Sequence, residues 1–173
     1  MQLMSTYQKI TSTHGERLNK IIMEGFLDNY QRNDIRKTHL FDGRYENIYL
    51  TEHEIPALGE IIAEATKYAE DILQVKHLRA GFWFNFMPPG SSTTLHTHDD
   101  EDELLSAVYY VNVPEGSGNL VIYHRTDKPG PRKIEIVPEE GEFIFFKPDV
   151  PHEVTRNNSA QSRLSIGFNF GQP

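Results

Sequence analysis

Cysteine is absent from this sequence of 173 residues. Its absence excludes a disulfide framework, a thiolate zinc site and a nucleophilic thiol. Long apolar runs are also missing, and the opening residues, MQLMS, do not begin a basic segment that leads into an apolar stretch. We therefore expect a cytoplasmic protein that does not bind to a membrane.

Positive charge is scarce as well. The chain has 17 Lys and Arg against 25 Asp and Glu, for a formal net charge of −8. Tight nucleic-acid binding needs a basic face, so we expect no nucleic-acid partner. A small anionic ligand stays compatible with this charge, because one buried arginine can hold a carboxylate. Length and composition predict one globular domain over residues 1–173.

The first part of the chain, residues 1–75, is predicted to be a helical support. Two stretches carry apolar residues at helical spacing, and Pro56 suits the first turn of the second. The apolar faces are Leu18, Ile21, Ile22, Phe26 and Tyr30 in the first stretch, and Leu58, Ile61, Ile62, Ala65, Tyr68, Ala69, Ile72 and Leu73 in the second.

The rest of the chain, residues 76–173, is predicted to form a β-helix core. Short segments with strand character alternate with turn residues. Two helices followed by antiparallel strands predict a mainly β fold with flanking helices. We expect a double-stranded β-helix (jelly-roll, cupin-like) with two N-terminal helices packed on one sheet. The eight predicted strands are 79–87, 93–98, 104–113, 119–124, 132–137, 142–147, 151–156 and 162–170.

Alternation along the strands predicts which side chains face the helices. In the last strand the apolar set Leu164, Ile166, Phe168 and Phe170 alternates with Arg163, Ser165, Gly167 and Asn169. The apolar face should pack on the helices, and the other face should line a cavity or contact water. In the first strand, Phe82, Phe84 and Phe86 share one face and are candidates for the cavity or the core. Trp83 is expected to point towards the helices.

Histidines and acidic residues at strand spacing suggest a metal site. His96, His98 and Asp100 project to one side of a strand, and His152 begins a later strand. Two histidines and one carboxylate form the facial triad of non-haem Fe(II) oxygenases. The same stretch also fits a cupin-like pattern in which His96, His98 and Glu103 are ligands. A single His-x-Asp motif is weak evidence, so the ligand set rests on the rest of the chain.

The C-terminal half resembles a known family. Residues 141–154, GEFIFFKPDVPHEV, and 163–165, RLS, look like the distal-histidine strand and the Arg-x-Ser strand of prolyl-hydroxylase-like 2-oxoglutarate/Fe(II) oxygenases. Residues 108–112, VYYVN, are similar to the Tyr-Tyr-Leu-Asn strand of that family, and 118–123, GNLVIY, resemble the glycine-rich strand that follows. The resemblance extends from about Phe82 to Phe170, more than half of the chain.

The resemblance implies a ligand and co-substrate arrangement. His152 would be the distal metal ligand, and Arg163 would pair with the C5 carboxylate of 2-oxoglutarate, helped by Ser165 and Tyr110. A guanidinium fork suits a planar carboxylate. The implied activity couples oxidative decarboxylation of 2-oxoglutarate by O₂ at Fe(II), with ascorbate as auxiliary reductant, to hydroxylation of an unactivated C–H. The substrate would be a prolyl or other amino-acid or peptide side chain, or a small molecule.

The proximal ligands stay open at this stage. Counting from Gly90 places the first ligand at His96 and leaves His98 where the family has its carboxylate. The literal His-x-Asp motif uses His98 and Asp100, and we prefer it because a carboxylate balances the charge of Fe(II). If Asp100 is not a ligand, a three-histidine site or halogenation has to be considered.

Two other readings remain. One is a cupin-type metalloenzyme, a dioxygenase or isomerase, that does not use 2-oxoglutarate. The other is a non-catalytic β-helix binding module. Arg163 discriminates between the 2-oxoglutarate oxygenase and the cupin-type enzyme, because only an enzyme that uses the keto acid needs an arginine anchor across from the metal.

Overall fold

The computed structural model describes residues 6–98, 102–124, 129–130 and 132–173. Its helices are α1, Gly15–Asn29, and α2, Leu58–Leu73. Its strands are β1 Tyr7–Thr11, β2 Lys37–Phe41, β3 Arg44–Ile48, β4 Arg79–Met87, β5 Thr93–His96, β6 Glu103–Asn112, β7 Leu120–His124, β8 Arg132–Ile136, β9 Glu142–Phe146, β10 His152–Val154 and β11 Arg163–Gly171. Among the residues described here, no helix has both the length and the apolar character that a membrane span requires.

The strands form two antiparallel sheets. The larger sheet has the order β1-β9-β6-β11-β4-β3-β2, and the smaller has the order β5-β10-β7-β8. From β4 onward the chain passes back and forth between the two sheets, which is the arrangement of a double-stranded β-helix. The eight strands predicted from the sequence all exist, and their ends agree with the observed ones within two residues.

The prediction of a purely helical support for residues 1–75 was wrong, because β1, β2 and β3 lie there as well. All three extend the larger sheet. Strands β2 and β3 form a hairpin whose turn residues, Asp42 and Gly43, have φ of 48° and 76°. An Asp-Gly pair with positive φ at both residues is typical of a tight hairpin, so the sequence did contain a local signal for this one.

The main core lies between the helices and the larger sheet. Leu18, Ile22 and Phe26 of α1 and Leu58, Ile61 and Ala65 of α2 are buried against it. The strand side of this core includes Phe84, Tyr109 and Phe143, together with the predicted apolar face of β11, Leu164, Ile166, Phe168 and Phe170.

The face assigned to Trp83 in the sequence analysis was wrong. Phe84 packs on Phe26 at a ring-centroid distance of 5.0 Å, and Phe82 and Phe86 also contact the core under the helices. Trp83 therefore lies on the opposite face of β4, between the two sheets. Its partner across the strand pair is Gly167.

Candidate metal centre

Three histidines from the smaller sheet converge at one point. His96 at the end of β5 is paired directly with His152 of β10, and His98 follows two residues after β5. One ring nitrogen from each histidine lies within 4.8 Å of the others. The ring centroids are 4.3 Å apart for His96 and His152, 4.8 Å for His96 and His98, and 5.0 Å for His98 and His152. The set can hold one cation.

Backbone carbonyls orient two of these rings. Nδ1 of His96 lies 2.6 Å from the carbonyl oxygen of Thr94, and Nδ1 of His152 lies 2.9 Å from that of Val150. A carbonyl only accepts hydrogen bonds, so each Nδ1 carries the proton and donates it. The lone pair of Nε2 is then available to a metal in both residues.

The electrostatic surroundings keep His152 neutral. Its side chain is 5% exposed and packs against the ring of Phe146 at 4.7 Å. Burial, together with the neighbouring His96 and His98, lowers the pKa of His152 to about 3. An imidazole that is neutral at physiological pH can bind a metal without first losing a proton.

The other predicted ligands have different outcomes. Asp100, the carboxylate preferred from the sequence, lies outside the described residues. Glu103 stands at the start of β6, where its Oε1 is 3.2 Å from Nη2 of Arg79. Within the described ranges, Glu103 is not part of the histidine cluster. The ligand role that the cupin-like pattern gives to Glu103 is therefore not supported.

An open pocket lies between the two sheets beside the histidines. All three histidines line it. Ser165, Gly167 and Trp83 contribute from the larger sheet, and Leu120 and Val154 contribute from the smaller sheet.

Beside Ser165 on the inner face of the larger sheet, but not lining the pocket, lies a buried pair, Arg163 and Tyr110. Their exposed fractions are 1% and 0%, and Cζ of Arg163 is 5.4 Å from the centroid of the Tyr110 ring. Ser165, which lines the pocket, is the cross-strand partner of Tyr110. The structure thus places the three predicted co-substrate residues together on the inner face of the larger sheet.

Arg163 has one hydrogen bond to a backbone carbonyl, from Nη1 to Gly118 at 3.1 Å. Gly118 has φ of +106°, and a Cβ there would stand 2.3 Å from the carbonyl oxygen of Thr155. Only glycine fits this position, so the site of the carbonyl acceptor depends on it.

The Arg163 guanidinium has no compensating anion within the described part of the chain. None of the ion pairs found there involves Arg163. Arg163 and Tyr110 interact with each other, but the Nε of Arg163 and the hydroxyl of Tyr110 are buried and neither forms a hydrogen bond of normal geometry among those residues. Burial lowers the pKa of Arg163, but a guanidinium remains charged in proteins. Burial also raises the pKa of Tyr110 to about 12, so its phenol keeps the proton and can donate it. Two buried donors and one positive charge match a carboxylate ligand.

Sequence reasoning missed several pocket residues. Trp83 lies against His98 at a ring-centroid distance of 5.2 Å, and Glu46, Asn85 and Thr93 also line the cavity. The position of Trp83 in the pocket could have been predicted only from strand pairing. Trp83 pairs with Gly167, and because Gly167 lies on the inner face, Trp83 lies on that face as well.

Comparisons with known proteins agree with this geometry. A prolyl-4-hydroxylase from Pseudomonas putida is similar in structure, with a TM-score of 0.76 and 19% identity over 96% of this chain and 93% of that one. The carbocyclase SnoK from nogalamycin biosynthesis also has a TM-score of 0.76, with 13% identity over 96% of this chain and 79% of that one. A prolyl hydroxylase from Trichoplax adhaerens, solved with a peptide of hypoxia inducible factor, gives a TM-score of 0.68 and 15% identity over 96% and 84% of the two chains. A comparison with curated proteins finds no match.

The fold is therefore that of the 2-oxoglutarate-dependent non-haem iron enzymes. The family model for 2OG-Fe(II) oxygenases, 2OG-FeII_Oxy_5, matches residues 81–169, and the chain belongs to this family. It is an oxygenase, and its cofactors are Fe(II) and 2-oxoglutarate. The resemblance seen in the sequence is confirmed.

Proposed function

We propose that this oxygenase hydroxylates an unactivated C–H bond, with Fe(II) held by His96, His98 and His152. The observation that carries the proposal is one pocket lined by three convergent imidazoles and by Ser165, next to which the guanidinium of Arg163 is buried without an ion-pair partner in the described residues. The first feature suits a cation and the second suits a dicarboxylic acid.

The positions of the imidazoles support this ligand set. His96 and His152 present Nε2 because their Nδ1 atoms donate to backbone carbonyls, and His98 closes the group. Three neutral ligands can occupy one face of an octahedral ion and leave the other positions to the co-substrate and O₂. When bound, the iron and the keto acid supply the oxidising chemistry, and the chain supplies position and a water-poor pocket.

Arg163, Tyr110 and Ser165 are proposed to hold the C5 carboxylate of 2-oxoglutarate. The guanidinium supplies the charge, the Tyr110 phenol donates a hydrogen bond, and the Ser165 hydroxyl faces the pocket. A carboxylate bound there would satisfy the two buried donors that form no hydrogen bond of normal geometry in the described structure.

For the primary substrate we propose an amino-acid or peptide side chain, prolyl among the candidates, or a small molecule of similar size. Two of the similar structures are prolyl hydroxylases, one of them solved with a peptide fragment. Trp83 and Gly167 form part of the wall between the sheets and exclude water from that side.

Metal titration tests the ligand set. Binding of Co(II), followed by its absorption spectrum, should weaken in His96→Ala by more than the roughly 10- to 100-fold that loss of an outer-shell partner costs. Asp100→Asn should bind Co(II) like the wild type. His53→Ala, an exposed histidine, is the matched control. Loss of Co(II) binding in Asp100→Asn with retention in His96→Ala would refute this ligand set and restore the literal His-x-Asp motif.

Turnover tests the reaction class. Succinate should form from 2-oxoglutarate with Fe(II), ascorbate and O₂, and Arg163→Ala should abolish its formation. Metal binding that is indifferent to 2-oxoglutarate would instead favour a cupin-type enzyme.

A further inference from the structure

Glu46 is a buried carboxylate in the wall of the same pocket. It lies on β3, is 6% exposed, and lines the cavity together with the three histidines. Its Oε1 accepts hydrogen bonds from the backbone N–H and the hydroxyl of Thr94 at 3.0 and 3.1 Å, and its Oε2 lies 3.0 Å from the same hydroxyl. These bonds cap the free edge of β5, because β5 is an edge strand of the smaller sheet.

Capping this edge does not require a negative charge. A glutamine amide oxygen would accept the Thr94 N–H equally well, whereas a carboxylate loses hydration energy when it is buried. None of the ion pairs found among the described residues includes Glu46. The charge therefore has no ion-pair partner in that part of the chain, and its favourable electrostatic interaction there is with Arg44, which it does not contact.

The nearest candidate partner, Arg44, is engaged elsewhere. Its Nη1 donates to Oδ1 of Asn85 and to the carbonyl of Phe86, and its Nη2 donates to the carbonyl of Ser92 and to Oγ1 of Thr93. All four acceptors are uncharged. Arg44 adds a favourable field at Glu46 without contacting its carboxylate.

Glu46 lies where it can contact a cationic group of a substrate that is bound beside the metal. Thr94, which holds the carboxylate, precedes His96 by two residues, so about 6 to 7 Å of strand separate them. The indole of Trp83 lines the same pocket against His98 and offers an aromatic face to a cation. Arg163 lies on β11, so the anionic co-substrate and a cationic group would use different walls.

We propose that Glu46 binds an ammonium or guanidinium group of the primary substrate, such as that of a lysyl or arginyl side chain. This inference rests on the proposed function, because it assumes that the substrate enters the pocket beside the metal. The cation of the substrate neutralises the buried carboxylate, and the carbon to be oxidised lies several bonds away from that cation.

Binding to the loaded protein tests this inference with matched ligands. The protein is loaded with Ni(II) and 2-oxoglutarate, so that no turnover occurs, and is titrated with N-acetyl-lysine methylamide and with N-acetyl-norleucine methylamide. The two probes differ in the ammonium group. Trp83 is the single tryptophan of the chain, so its fluorescence reports occupancy of the pocket.

The wild type should bind the lysine probe about 10- to 100-fold more tightly than the norleucine probe, the range of a charge-assisted hydrogen bond. In Glu46→Gln, which keeps an acceptor for Thr94, this ratio should fall to less than about twofold. Glu115→Gln, an exposed glutamate with the same change of charge, should keep the wild-type ratio. The arginine analogue of the probe should behave like the lysine probe.

Two results would overturn the inference: no preference for the cationic probes in the wild type, or an unchanged ratio in Glu46→Gln. If the ratio is unchanged and Ni(II) binding weakens in that variant, the charge of Glu46 acts on the metal. Failure of the wild type to bind Ni(II) and 2-oxoglutarate at all would refute the proposed function itself. Binding of both without a preference for cations would refute only the role of Glu46.

Discussion

Replacing Arg163 with methionine should separate stability from function. Without 2-oxoglutarate, the guanidinium is buried with one carbonyl acceptor and no anion in the described structure. The substitution removes that hydrogen bond, which contributes about 1.5 to 3 kcal/mol for a charged donor. It also removes the desolvation cost of a buried charge, several kcal/mol. The two effects nearly cancel, so the free energy of unfolding of the ligand-free protein should stay within about 2 kcal/mol of the wild type or exceed it.

The effect on co-substrate binding should be large. Removing one partner of a buried, hydrogen-bonded charge pair costs about 2 to 5 kcal/mol, which is about 30- to 4,000-fold in the dissociation constant for 2-oxoglutarate. At a concentration 100 times its dissociation constant, 2-oxoglutarate with Ni(II) should stabilise the wild type by about 2.7 kcal/mol, or about 5 to 11 °C in Tm. The same concentration should stabilise Arg163→Met by at most about 0.9 kcal/mol, or about 2 to 3 °C in Tm.

Thermal unfolding of both proteins, with and without 2-oxoglutarate, measures these quantities together. Arg156→Met is the control, because Arg156 is exposed and loses the same charge. The reasoning would be refuted if Arg163→Met lost several kcal/mol of stability without ligand while it still gained the full ligand-induced increase in Tm. That result would show that Arg163 contributes to stability and not to binding of 2-oxoglutarate.

Three further substitutions test other parts of the structure. In Gly167→Ala the new Cβ would stand 2.5 Å from the indole of Trp83, so we expect a shifted tryptophan fluorescence and lost substrate turnover, while succinate formation from 2-oxoglutarate alone persists. Tyr110→Phe should weaken 2-oxoglutarate binding by about 10- to 100-fold in a calorimetric titration, the value of one hydrogen bond to a charged acceptor, and should leave the Tm of the ligand-free protein unchanged. Glu64→Gln should lower the free energy of unfolding by about 1 to 3 kcal/mol, because the Glu64 carboxylate accepts hydrogen bonds from three hydroxyls and a backbone N–H. Burial raises the pKa of Glu64, but these bonds outweigh burial and hold it below its ordinary 4.5. The stabilisation is therefore present above pH 4.5 and is lost as the pH falls through the lowered pKa, which urea denaturation at a series of pH values will show.

The β-helix core was predictable because its signals are local. Each of its strands is flanked by turn residues, and alternation along β11 separates Arg163 and Ser165 from the apolar face that packs under the helices. The strands β1, β2 and β3 were missed because most of their side chains are exposed or half-buried, so no continuous buried apolar run marks them as it marks β7 and β9. Such segments become strands through their partners, and β1 pairs with β9, more than a hundred residues later.

The residue types of the site were predictable from local pattern, but its grouping was predicted only through the family resemblance. His152 comes next to His96 only through the pairing of β10 with β5, which no local pattern encodes. The same limit applies to Trp83, whose face depends on the register with β11, and to Glu46, which reaches the pocket from a strand outside the predicted core. Arg163, in contrast, could be placed from its own strand, because period-two alternation fixes its face.

The two halves of the centre belong to different sheets. His96 and His152 are carried by the smaller sheet, and Arg163 and Tyr110 by the larger. If 2-oxoglutarate bridges them as proposed, it adds a tie between two layers that already share hydrogen bonds, such as those of Glu46 with Thr94 and of Asn85 with Thr93. Binding of 2-oxoglutarate should therefore slow amide hydrogen exchange in the smaller sheet, including at strands far from the ligand. The local stability of the β-helix would then depend on the concentration of the co-substrate.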